Sequence, residues 1–286
     1  MKKTHSFLSA LLILIFITSC SPTVIIRDSD SQVGSGVRSS HTKQNRQLDD
    51  IALNGKVYSA LWQQNAGEFR ALCYQTFNLA TEIVKQKASL SHLRPIAIVA
   101  DIDETILDNS PYAVTQAMNG KEFDSNSWLE WTSKGEAIAY PGSVDFFTYA
   151  ASQNVAVFYI SNRNENDKPG TIENLRKLGF PFADESHVLV MKDNSDKAER
   201  RKQVLKDYEV FMYLGDNLND FSDVFYKKSQ NQRNHLVDEL ANEFGSTFIV
   251  LPNSGYGDWE SALPGYNSKL TPAEKDDVFI KNVKGY

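Results

Sequence analysis

A chain of 286 residues, 41% of them hydrophobic, has room for one large α/β domain, alone or with decoration, and enough apolar surface to bury a good core. Acidic residues outnumber basic ones, 36 to 30, for a net charge of −6, which argues against a surface that coats nucleic acid and leaves a small anionic substrate open. With only two cysteines, Cys20 and Cys73, the chain is no disulfide scaffold.

The first predicted element is a leader. Lys2 and Lys3 precede the apolar stretch Phe7 to Ile17 and a small-residue exit at Thr18-Ser19-Cys20, too short for a membrane span, so residues 1–19 read as a secretory signal. Ile17-Thr18-Ser19-Cys20 also resembles the lipobox of bacterial lipoproteins, which implies that cleavage leaves Cys20 lipidated; ordinary secretion is the alternative. Ser21, rather than Asp, points by analogy to the outer membrane of a Gram-negative envelope, with the protein held to the membrane through its N-terminal lipid. Residues 20–47, rich in Ser, Gln, Arg and Asp, read as a flexible tether, and the domain proper is expected over 48–286.

Between Leu48 and about Lys87, apolar residues recur at helical spacing, predicting two helices. Ile96 to Ala100 is an unbroken apolar run, the mark of a strand covered on both faces. Residues 106–140 are aromatic and irregular and are expected to form a small helical cap insert. Pro141-Gly142 then opens a helix to about Ser152. Strands at Val155–Ile160, Val188–Met191 and Val210–Leu214 alternate with helices at Thr171–Leu178 and Lys197–Tyr208; a helix from about His235 to Phe244 and a strand Thr247–Leu251 follow. The alternation predicts βαβ units: an α/β fold with a Rossmann-like parallel sheet and helices on both faces.

Each predicted strand ends in polar groups: Asp101 and Asp103, then Ser161 and Asn162, then Lys192, then Asp216 and Asp220. A parallel sheet gathers these ends on one edge, where open α/β sheets bind ligands. An Asp pair alone reads most simply as a turn cap. Carboxylates converging with a hydroxyl and a lysine suit phosphoryl transfer, and hard oxygen donors without His or Cys suit Mg²⁺.

The segments DIDET (101–105), SNR (161–163), Lys192 and GDNLND (215–220) resemble, in order, the four motifs of the haloacid dehalogenase superfamily. ADIDETILDNSPY, FYISNRN, GDNLNDF and YGDWESALPGY resemble more narrowly the class C bacterial acid phosphatases, outer-membrane lipoproteins acting on nucleotides. The resemblance implies Asp101 as nucleophile and Asp103 as acid and base, with an acidic pH optimum. It implies Mg²⁺ on the Asp101 carboxylate, the Asp103 carbonyl and Asp216, supported by Asp220, and phosphoryl oxygens on Ser161, Asn162 and Lys192, with the backbone N–H groups beside Ser161 an alternative to its hydroxyl. It also implies a homodimer.

Trp128-x-x-Trp131 by itself reads as one helical turn packing into a core; an aromatic pair beside a phosphate site could instead stack a base. The resemblance favours stacking, with Trp128 and Tyr256 as substrate residues. Nucleoside 5′-monophosphates, nicotinamide mononucleotide and aryl phosphates are the expected substrates. The alternatives are a phosphotransferase of the same superfamily and a non-catalytic surface binding lipoprotein.

Overall fold

The computed structural model describes residues 50–286. The expected signal segment, Cys20 and the tether lie outside the described residues. Among the described residues, no helix is long and apolar enough to cross a membrane.

Two helices, α1 (Ile51–Asn65) and α2 (Gly67–Ala88), precede the sheet. On α2, Phe69, Cys73, Phe77, Ala80 and Val84 recur every three or four residues and form one buried stripe. Strand β1 (Ile96–Ala100) is buried along its whole length. The chain then enters the cap: β2 (Leu107–Asp108), α3 (Ser110–Met118), α4 (Ser125–Lys134) and β3 (Ile138–Ala139), with β2 and β3 paired antiparallel. Residues 106–140 are thus more regular than their mixed composition suggests. Asp124 caps the α4 N-terminus through the Asn126 and Ser127 amides, and Gly135 ends the helix at φ 58°.

Helix α5 (Ser143–Ser152) leads to β4 (Ala156–Asn164), α6 (Lys168–Leu178), β5 (Val188–Met191), α7 (Ala198–Leu205) and β6 (Glu209–Gly215). After β6 come α8 (Leu218–Phe221), α9 (Gln230–Glu239), β7 (Phe248–Val250), α10 (Asp258–Ser261) and α11 (Pro272–Asn282). Helix α9 starts five residues before the expected His235, because a capping box between Ser229 and Gln232 nucleates it there. Helix α11, for which periodicity offered no role, is tied in by Asp276, whose carboxylate accepts from the Asp50 and Ile51 amides at 2.8 and 2.9 Å.

The main sheet is parallel, in the order β5-β4-β1-β6-β7. Alternate residues of β1 serve opposite faces. Ile96, Ile98 and Ala100 join the larger core with α2, α5 and α6, while Ala97 and Val99 pack with Ala156, Phe158, Ile160 and Val204. The connection from β5 back across β1 to β6 makes the β1–β6 crevice the point where strand order reverses, and ligands bind at such points.

Candidate active site

Asp101 follows β1 directly, its amide held by the Leu214 carbonyl of β6 at 2.9 Å, and is 8% exposed. Asp216 follows β6 in the same way. Helix α8 then turns Asp220 back, with its carboxylate on the Asn217 amide at 2.9 Å. Gly215 is required here: a Cβ at that position would lie 2.4 Å from Asp220 side-chain atoms. One carboxylate oxygen from each of Asp101, Asp216 and Asp220 lies within 4.8 Å of the other two.

The cation facing this cluster is Lys197. Its ammonium is 2.5 Å from Asp101 Oδ1 and 2.7 Å from Asp220 Oδ1, with all three side chains nearly closed to solvent. This corrects the sequence assignment of Lys192, which is exposed at the end of β5 and does not line the site. The strand stops at Met191, and residues 192–197 must run on before the start of α7 brings a lysine back over Asp101. Burial opposes the charge on Lys197, yet its two carboxylate partners prevail and its pKa rises. Burial also raises the Asp101 carboxyl, against the pull of Lys197 and with Asp220 and Asp103 adding to it. Asp216 is raised well above its ordinary range by burial, Asp220 and Asp101; its own hydrogen-bond partners are the neutral Thr105 and Asn253.

Two of the three carboxylates thus share one ammonium and the third has only neutral partners, and their oxygen-only donor set fits a hard divalent cation that would relieve the remaining repulsion. Asp101, Asp216 and Asp220 are the residues that would hold it.

Asp103 is surrounded by donors. Arg163 reaches its Oδ1 through Nη2 at 2.8 Å and Nε at 3.0 Å, Asn109 Nδ2 reaches Oδ1 at 2.8 Å, and the Ser161 hydroxyl donates to Oδ2 at 3.1 Å. Ser161 is fully buried and absent from the cavity wall, against its assignment as a phosphoryl ligand, and its hydroxyl is engaged by Asp103. Asn162 does line the cavity, its carboxamide oxygen accepting from Arg200 at 2.7 Å.

Between Asp103 and Thr105 the backbone reverses through Glu104, a non-glycine residue at φ 54°. The turn is held by backbone bonds from Ile106 and Leu107 to Ile102 and by the Glu104 carboxylate, which accepts from the Asn109 amide at 2.9 Å and from the Tyr256 hydroxyl. Burial, then Asp103, pushes Glu104 up to about 8. Outliers of this kind cluster at functional sites.

A cavity of about 450 Å³ joins these groups to the cap. Trp128 and Tyr256 both line it, with no ring contact between them among the described residues. Trp128 is 8% exposed, edge-on to Tyr112 at 4.9 Å with Arg163 5.5 Å from its ring centroid. Most of its ring therefore packs within the site. Trp131 donates its indole N–H to Asn109 at 2.8 Å. Arg163, Asn109, Glu104 and Lys197 were not singled out from sequence. Arg163, Glu104 and Asn109 stood in view inside the SNR, DIDET and ADIDETILDNSPY segments, whereas Lys197 entered only as the start of a predicted helix.

The profile of the family described as HAD superfamily, subfamily IIIB (acid phosphatase), matches residues 25–259. The class C acid phosphatase from Bacillus anthracis has a similar structure, with a TM-score of 0.79 and 39% identity over 83% of this chain and 99% of that one. The crystal structure of the Bacillus anthracis enzyme with tungstate bound gives the same values. Acid phosphatase 1 from Solanum lycopersicum is 28% identical over 134 residues, 44% of this chain and 51% of that protein. A stem 31 kDa glycoprotein from Glycine max is 27% identical over 166 residues, 54% of this chain and 55% of that protein. The chain spans about half the length of these curated relatives.

Proposed function

The chain belongs to the acid phosphatases of haloacid dehalogenase subfamily IIIB, and from that membership we propose that it hydrolyses phosphomonoesters through Asp101. The observation that carries this reading is the meeting of Asp101, Asp216, Asp220 and Lys197 in one buried cluster at the strand-reversal crevice.

In this reading the Asp101 carboxylate attacks phosphorus, the bond to the leaving oxygen breaks, and an aspartyl-phosphate forms. Asp103 gives the leaving oxygen a proton and then takes one from the water that releases phosphate. Because Asp103 faces Arg163, Asn109 and Ser161, it must carry that proton and turn an oxygen away from Arg163 to deliver it. Hydrolysis is therefore expected to be fastest in acid. Lys197 opposes the effect of burial on Asp101 and so favours the ionised form of the nucleophile. Mg²⁺, held by Asp101, Asp216 and Asp220, would neutralise phosphoryl charge and orient the group for in-line attack.

The substrates proposed are nucleoside 5′-monophosphates and aryl phosphates. A cavity of about 450 Å³ falls in the range of small-ligand sites, and Trp128 and Tyr256 on its wall offer faces for a base.

The test is phosphate release from AMP and p-nitrophenyl phosphate by residues 21–286, with Mg²⁺ or EDTA, beside Asp101→Asn. Mg²⁺-dependent release that disappears in the variant is the expected result. No release by folded wild type at acidic or neutral pH would reject the activity. For the substrate class, Trp128→Ala should raise KM for AMP far more than for the aryl phosphate; equal increases would remove the stacking role.

A further inference from the structure

Arg200 lies one helical turn beyond Lys197 on α7 and is absent from the cavity wall. Among the described residues its guanidinium makes three hydrogen bonds, none of them to a carboxylate. Nη1 donates to the Ser161 carbonyl at 2.5 Å, and Nη2 donates to the Asn162 carboxamide oxygen at 2.7 Å and to the Asp196 carbonyl at 3.0 Å. Two of these acceptors belong to the C-terminal end of β4, and the third to the loop that delivers Lys197.

We propose that Arg200 is a positioning residue of the phosphoryl pocket, setting the orientation of the Ser161–Asn162 peptide and tying it to the loop that carries Lys197. This rests on the phosphatase reading above. A trans peptide is planar, so its carbonyl and its N–H point in opposite directions. Drawing the Ser161 carbonyl toward Arg200 turns the Asn162 N–H away from it. Asn162 lines the cavity, and the Ser161 hydroxyl is already on Asp103, so the donor this strand end offers an incoming phosphoryl oxygen is the backbone of Asn162 rather than the serine side chain. Fixed backbone donors aimed at developing charge stabilise it without reorganising during the reaction.

Arg200 also gives the end of β4 and the loop before α7 a common reference. A planar fork holds its acceptors in a fixed geometry, whereas the three donors of an ammonium rotate on a flexible stem. The neighbouring Arg201 does related work on α8, donating to the Asn219 carbonyl at 2.6 Å. The first turns of α7 therefore reach the Asp101, Ser161–Asn162 and Asp220 segments together.

The experiment compares wild type, Arg200→Ala and Arg200→Lys by steady-state kinetics on AMP and p-nitrophenyl phosphate, and by melting with inorganic phosphate and with Mg²⁺. Arg200→Ala should lose about 10- to 100-fold in kcat, by the same factor on both substrates, as supporting contacts around a reactive site commonly do. Its Mg²⁺-induced rise in Tm should be retained and its phosphate-induced rise lost. Low-millimolar guanidinium ion should restore part of the rate, and Arg200→Lys should lie between the other two. A kcat within twofold of wild type in Arg200→Ala, a loss that guanidinium does not relieve, or a loss that tracks the disappearance of the Mg²⁺ effect would each overturn the proposal. If Arg200→Ala does not fold, Arg200→Lys decides: an intermediate kcat at wild-type Tm supports the role, and full activity rejects it. If wild type releases no phosphate, the melting arm still separates the two readings. A phosphate-induced shift present in wild type and absent in the variant supports Arg200, the same shift in both rejects Arg200 alone, and no shift in either rejects both.

Discussion

Replacing Lys197 by Met removes the ammonium that lies 2.5 Å from Asp101 and 2.7 Å from Asp220 while leaving a side chain of similar length. Both carboxylates remain buried, at 8% and 5% exposure, so the variant keeps the repulsion and loses the attraction. Removing one member of a buried ion pair costs on the order of 3–5 kcal/mol. For a domain of this size each kcal/mol shifts the midpoint by about 2–4 °C, so in EDTA the variant should melt roughly 6–20 °C below wild type. The deficit should narrow in acid, where protonated carboxyls no longer need a cation. With Mg²⁺ bound the gap should also close in part, because a second cation then shares the three carboxylates. Phosphate release should fall about 100- to 1000-fold, the usual consequence of deleting one group that stabilises transition-state charge. The control is Lys192→Met, an exposed position, which should stay within about 0.5 kcal/mol of wild type and retain its rate. Differential scanning fluorimetry with and without EDTA, and a phosphate assay, measure both. Near-normal activity in Lys197→Met together with loss in Lys192→Met would refute the assignment of the cation.

Metal-free protein should melt progressively lower as pH rises from the ordinary carboxyl range of 3.8 to 4.5 up to about 8, since Asp101, Asp216 and Glu104 are all raised by burial. A raised carboxyl contributes its full stability below the unfolded pKa and loses it as pH climbs through the folded value. Mg²⁺ should recover the share due to Asp101 and Asp216 but not that of Glu104; a flat profile in EDTA would contradict the burial argument. Gly215→Ala places a Cβ 2.4 Å from Asp220 and must displace it, so Mg²⁺ affinity measured by calorimetry should drop about 10-fold or more. Unchanged affinity would show that Asp220 does not support the metal. For the segment before residue 50 we propose a lipid anchor on Cys20: Cys20→Ser in the full chain should move from the detergent-extracted membrane fraction to the soluble one, and retention in membranes would reject the anchor.

Strand β1 was readable because a strand buried on both faces needs an unbroken apolar run, and Ile96–Ala100 supplies one that ends where Asp101 begins. The same reasoning brought Asp103, Asp216 and Asp220 to the sheet edge, where they line one cavity. It failed at the third strand. Periodicity shows where a strand stops, not how the following loop returns, so Lys192 at the strand end was assigned while Lys197 was read only as the first residue of the next helix. Ser161 shows a second limit, since a residue at the right position can still turn its hydroxyl to a neighbour, and that choice depends on Asp103 58 positions earlier. The left-handed Glu104 is invisible to propensity, which disfavours that conformation for it.

Arg163 holds Asp103 with one part of its guanidinium while its centre lies 5.5 Å from the Trp128 ring centroid, and Asn109 joins Asp103 to Trp131 in the same fashion. Selection acting on this protein therefore meets a wall of correlated traits: a change at either tryptophan that admits a new leaving group also disturbs the group that moves the proton. Substrate range would drift more easily from Phe123, which lines the cavity, is 60% exposed and has its ring contacts with the cap residues Tyr112 and Trp128. A library confined to position 123 should yield altered preference with an intact pH profile, whereas one at 128 or 131 should return specialists whose optimum has shifted as well.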